Sequence, residues 1–154
     1  MFEIFKSTLK KVKNNEEKIE TDEVKALSSI VSLLVEAASI DGQIGEDEKN
    51  KILSILVHQL NLDLTKAEQI LQETISVSED QIEIWSKTNN IRIELDYEER
   101  LNILELMWEI VLVDDVLDVF EAQLMRRVSG LLYISDVDSG NSKKRALLKI
   151  KNNN

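Results

Sequence analysis

Two short runs of carboxylates carry most of the chemistry in this sequence. The first is Asp41-Gly42-Gln43-Ile44-Gly45-Glu46-Asp47-Glu48, and its outline returns 73 residues later as Asp114-Asp115-Val116-Leu117-Asp118-Val119-Phe120-Glu121. Each run holds four acids within eight residues and no base. Crowded carboxylates repel one another, so they either take up protons or attract a cation. Oxygen-only donors suit hard ions, which makes Ca²⁺, Mg²⁺ or Mn²⁺ a better match than Zn²⁺. The expected donors are Asp41, Glu48, Asp114 and Glu121, which correspond between the two runs. The bland alternative is that acids favour the first turn of a helix and that Asp with Gly makes turns.

The first run also matches the second half of an EF-hand calcium loop, with Asp41, Gly42, Ile44 and Glu48 at positions 5, 6, 8 and 12. Positions 1 and 3 then fall on Ala37 and Ser39, and in the second run on Ile110 and Leu112. Three of those four offer no side-chain oxygen, and Asp115 replaces Gly42, so neither run is a working EF-hand. Each is at most half a metal site. A cation is expected only if the fold brings the halves together.

The flanking apolar pattern repeats in the same register: Val31/Leu104, Leu34/Met107, Val35/Trp108, Ala38/Val111, Ile52/Met125 and Ile55/Val128. Four of the 25 positions from 31 to 55 are identical to their partners, and three of those are acids (Glu36, Asp41 and Glu48). That bias suggests a repeated binding role as well as a repeated fold.

The elements that position the acids read as helices. Val24, Leu27, Val31, Leu34, Val35 and Ala38 form one stripe, capped by Thr21 and ended by Gly42. The next helix starts near Glu46 and runs to Leu60. Thr65 to Glu68 and Ser78 to Gln81 have capping-box spacing, and Asp96-Tyr97-Glu98-Glu99 opens the helix through Trp108 into the second run. Asp118 is the expected cap of a helix over Val119 to Tyr133. After a polar break at Asp136 to Gly140, a last helix spans Ser142 to Ile150. With no proline and only four glycines, six or seven helices form an all-α bundle built from two pseudo-symmetric helix–loop–helix units.

Composition narrows the function. At 154 residues and 43% apolar the chain is one globular domain, here placed at residues 21–151. Residues 1–20 read as an amphipathic helix and a polar linker; residues 1–13 carry Lys6, Lys10, Lys11 and Lys13 against Glu3. That segment either docks on the protein's own acidic body or adsorbs weakly to an anionic membrane surface. The net charge of −10 argues against nucleic acid and favours metal ions or a basic protein partner. Absence of cysteine excludes thiol chemistry, and the single histidine, His58, cannot build a histidine-rich metal site. There is no serine with a base partner, no glycine-rich phosphate loop and no Glu-x-x-His pair, so the chain reads as non-enzymatic. Without a signal peptide or membrane span, the expected location is cytoplasmic, with peripheral contact at the inner face of the membrane through residues 1–13. Glu36 and Glu109 lie about 140° around the helix from their loop Asp and are expected at the surface or an interface. Trp85 and Trp108 are expected in the core, and His58 at the surface or the core edge.

A helix ending in Ala37-Ala38-Ser39-Ile40-Asp41-Gly42-Gln43-Ile44, with Glu48 in the next helix, resembles the TerB-like tellurite-resistance family. So does the second unit, where Asp96-Tyr97-Glu98-Glu99-Arg100 starts a helix ending at Val113-Asp114 with Glu121 beyond. The resemblance covers residues 25–135 or so. It implies a helical bundle with acidic metal-binding sites, a cytoplasmic or membrane-peripheral location, and a role in tellurite or general stress response as an interaction module. The alternative is a metal-independent acidic scaffold or adaptor for a basic partner.

Overall fold

The two strongest apolar stripes become the centre of the molecule. The computed structural model describes residues 22–40, 44–77, 84–113 and 117–152. In that part of the chain α1 (Asp22–Ala38) buries Ala26, Leu27, Ile30, Val31, Leu33, Leu34, Val35, Ala37 and Ala38. Such a set wraps around more than one face, as a helix enclosed by neighbours requires. Further along, α5 (Tyr97–Val111) is enclosed more completely, with every residue from Ile103 to Val111 buried.

The other helices surround this pair. They are α2 (Glu46–Ser54), α3 (Leu64–Val77), α4 (Ile84–Glu94), α6 (Val119–Leu131) and α7 (Asp136–Asn152). α4 lies along α1, α7 along α5, and α1 and α5 touch each other. α3 packs on α1, α6 on α5, and α2 on both central helices. The described residues form seven α-helices and no strand, an all-α bundle. Leu34, Ile52, Ile55, Leu104 and Met107 are fully buried where the stripes converge. Each contributes about 1.5–3 kcal/mol of transfer free energy.

Several local signals act as expected. Asp96 caps α5, its Oδ1 accepting from the Glu99 N–H at 2.9 Å while its own N–H donates to Glu99 Oε1 at 3.2 Å. Trp108 is buried, and Lys143 lies over its ring at 5.3 Å.

Other expectations are corrected. Residues Asp136 to Gly140 are not a break but the first turn of α7. Ser135 caps that turn, its Oγ accepting from the Asp138 N–H at 3.2 Å, and Asp136 and Asp138 suit the positive helix end. One glycine in a helix costs only about 1 kcal/mol, and packing along α5 outweighs it. The cap of α3 is Asp63 rather than Thr65, with Oδ1 accepting from the Lys66 N–H at 2.8 Å. Trp85, at the start of α4, is 55% exposed and is no core anchor. The expected helix at 1–13, the linker, the Thr21 cap and the Ser78 box lie outside the described residues.

Candidate functional site

The acidic runs are held by helix ends that repeat with the 73-residue offset. α1 stops at Ala38 and α5 at Val111; α2 starts at Glu46 and α6 at Val119. The residues before those starts, Gly45 and Asp118, are both extended N-caps. Glu48 and Glu121 are therefore both the third residue of their helix. In the second unit this makes a full capping box: Asp118 Oδ1 accepts from the Glu121 N–H at 2.8 Å, and the Asp118 N–H donates to Glu121 Oε1 at 3.3 Å. In the first unit Gly45 has no side chain to offer. Glu48 folds back over it instead, so closely that a Cβ on Gly45 would lie 2.4 Å from Glu48 Oε2. Both glutamates thus bend back toward their own loop and are half-buried there.

Asp41 and Asp114, the other two expected donors, lie outside the described residues. Among the described residues no group of three or more His, Cys, Asp or Glu side chains is arranged to hold a metal ion. The part of the donor set that is described fits a hard cation in kind: two carboxylates, each turned toward the loop that carries its aspartate.

Beyond the shared boundaries the units differ by one residue. α2 runs into a π-helical turn, Ile55–Gln59, in which the Leu60 N–H bonds back five residues to Ile55 O at 3.0 Å. After it, equivalent positions are 72 apart rather than 73: buried Leu60 and Leu62 match buried Leu132 and Ile134, and left-handed Asn61 (φ 59°) matches Tyr133 (φ 57°). A π turn absorbs one extra residue without rotating the chain beyond it. His58 sits in this turn and is exposed, as expected for a surface residue.

The ends of the units are fastened by charges that sequence reasoning missed. Glu109, expected at the surface or an interface, is only 2% exposed, and Glu105 one turn earlier is 6% exposed. Because α5 is enclosed from Ile103 to Val111, Glu105 and Glu109 are buried with the rest and must find cations. α7 supplies them: Arg145 Nε donates to Glu105 Oε1 at 2.8 Å, and Lys149 Nζ donates to Glu105 Oε2 at 3.2 Å while lying 3.7 Å from Glu109 Oε2. Lys51 Nζ, from α2, donates to Glu109 Oε1 at 3.4 Å. The signal was present as two complementary pairs spaced by four, Glu105/Glu109 and Arg145/Lys149.

The Lys51–Glu109 bond has a geometric consequence. Lys51 is three residues, about 4.5 Å of helix, beyond Glu48, and Glu109 is two residues, about 3 Å, before the end of α5. The last turn of α2, one turn past Glu48, therefore lies beside the last turn of α5, which leads to the second acidic loop. Glu36, the equivalent of Glu109, is half-buried and faces a different cation. Burial pushes the Lys87 ammonium below the usual lysine range, and Glu36 partly opposes that shift.

A family model described as "Tellurite resistance protein TerB" matches residues 10–144. No curated protein and no solved structure matches the chain.

Proposed function

Because this chain belongs to the TerB tellurite-resistance family, we propose that it is a non-enzymatic, metal-responsive interaction module in the response to tellurite or general stress. A divalent cation (Ca²⁺, Mg²⁺ or Mn²⁺ in preference to Zn²⁺) would be held by Asp41, Glu48, Asp114 and Glu121. Bound there, it would neutralise crowded carboxylates and tie the two helix–loop–helix units, fixing the surface they present to a protein partner. The observation that carries this reading is the Lys51–Glu109 bond at 3.4 Å, which holds α2, one turn past Glu48, against the last turn of α5. The inward fold of Glu48 over Gly45 supports it further.

One observation favours a second reading. Glu121 already serves the Asp118 cap, as it would in a metal-independent acidic scaffold that binds a basic partner. The test separates the two. At a cation concentration 100 times Kd, binding stabilises the folded state by about 2.7 kcal/mol. For a domain of this size that is roughly 5–10 °C in Tm. The metal reading expects such a rise with one of these ions and its loss in the double variant Asp41→Asn, Asp114→Asn. No rise with any of them at millimolar concentration would leave the scaffold reading.

Cytoplasmic location, with weak contact between residues 1–13 and an anionic membrane surface, belongs to the same proposal. No helix among the described residues is long and apolar enough to cross a membrane.

A further inference from the structure

The cations of α7 divide into two sets with different work. Arg145 and Lys149 are spent on the buried glutamates of α5. Lys143 turns instead to a cleft of about 370 Å³ between the end of α5, one face of α6 and the first turns of α7. Trp108 and Leu117 form apolar parts of its wall; Arg126, Asp136, Gly140 and Lys143 also line it.

Two features of this cleft point to an anionic ligand. Neither Arg126 nor Lys143 has a carboxylate within ion-pair distance among the described residues, although the chain carries a net charge of −10. Two cations against one carboxylate, Asp136, leave the lining of this concavity net positive. The N-terminal end of α7, a helix of 17 residues, forms one side, and its dipole favours negative charge. A Cβ on Gly140 would meet nothing within 4 Å, so the floor is open at that point.

We propose that this cleft binds the dianionic phosphate of a small organic phosphomonoester, with Arg126 and Lys143 on the phosphate and Trp108 and Leu117 against the organic group. A doubly charged group with three acceptor oxygens matches two cations and a helix end better than a single carboxylate does. The cleft lies in the volume range of small-molecule pockets, and its apolar wall gives the organic part a reason to bind. Asp136 opposes the anion and limits affinity. The site shares Leu117 with the second acidic run but uses none of Asp41, Glu48, Asp114 and Glu121.

Trp108 supplies the readout. In the full-length protein carrying Trp85→Phe, which removes the exposed indole, Trp108 fluorescence is followed during titration with phenyl phosphate. A saturable change is expected, with affinity at least about tenfold above that for inorganic phosphate. Arg126→Gln with Lys143→Gln should weaken it at least tenfold while leaving the far-ultraviolet circular dichroism intact. Asp136→Asn should tighten it several-fold. Arg127→Gln, a neighbouring exposed arginine outside the cleft, should leave affinity unchanged. Absence of a saturable response overturns the proposal. So does a response matched by sodium chloride at equal ionic strength, one retained by the Arg126/Lys143 double variant, or one weakened equally by Arg127→Gln. If the double variant does not fold, Arg126→Gln alone decides, with the same expected direction.

Discussion

The two helix–loop–helix units share the helix boundaries at their loops to the residue, yet their acids are held differently. In the second unit Asp118 and Glu121 satisfy each other in a capping box, and Glu109 is buried against Lys51 and Lys149. In the first, Gly45 offers no cap, Glu48 folds over it, and Glu36 stays half-buried near Lys87. The first unit also carries an extra residue, stored in a π turn. The first turn of α6 is thus closed by a capping box, whereas that of α2 carries three acids behind an N-cap without a side chain, one of them, Glu46, 3.7 Å from Lys49. The repeat preserves where the carboxylates are; their local duties have diverged.

Single-residue deletions give the largest contrast. Deleting exposed His58 should convert the π turn to ordinary α-helix and cost under about 1 kcal/mol, because Leu60 and Leu62 keep their places. Deleting exposed Arg127 from α6 should cost more than about 3 kcal/mol, because it turns Val128 and Leu132 about 100° away from the core. Urea denaturation of both variants measures the difference; equal losses would remove the insertion account.

The next effect concerns the buried acids. Lys149→Met leaves Glu105 and Glu109 short of a shared cation and should destabilise by about 2–3 kcal/mol, the low end for a broken buried pair because Lys149 keeps contact with water. Glu105→Gln should cost less, since its half-exposed partners can turn to solvent. The reverse order in chemical denaturation would mean that the acids are not effectively buried.

Asp118→Ala should then cost about 1 kcal/mol through loss of the cap. Gly45→Ala should change stability by only a few tenths, because the clash falls on the end of a flexible glutamate at a φ of −74°. Comparable losses would show that Glu48 is fixed as rigidly as Glu121.

The smallest effect is that of Lys87→Met, since Glu36 offsets part of the burial cost. The folded state holds the Lys87 proton less tightly than the unfolded chain does, so the wild-type protein gains stability as pH rises from the lowered folded pKa toward 10.5. Lys87→Met should therefore be more stable than wild type near neutrality, with the advantage shrinking toward pH 10.5. A difference that does not change with pH would rule out burial of the charged amine.

How much of the molecule was legible in the sequence depends on the range of each interaction. The helices around the acidic runs and the caps at Asp96 and Asp118 are local, three- and four-residue signals, and they could be read directly. The burial of Glu109 could not, because it depends on α7 closing the last face of α5. The same packing keeps Gly140 helical against its local preference and moves the start of α7 back to Asp136. Trp85 misled because a large aromatic residue suggests a core position, whereas its place at the start of α4 leaves it at the surface. The π turn is visible only as a change of offset from 73 to 72, which needs the buried positions on both sides. For the metal donors, sequence supplied the residue types, and the fold supplied the adjacency of α2, one turn past Glu48, to the last turn of α5.

That adjacency is most directly tested by adding Mn²⁺ stepwise to ¹⁵N-labelled protein and monitoring amide broadening by NMR. The bridging account predicts that one equivalent broadens residues 44–48 and 117–121 together, and that Asp41→Asn with Asp114→Asn abolishes the effect. Broadening of one loop alone, saturation at two independent ions, or no selective broadening would contradict a cation shared between the units.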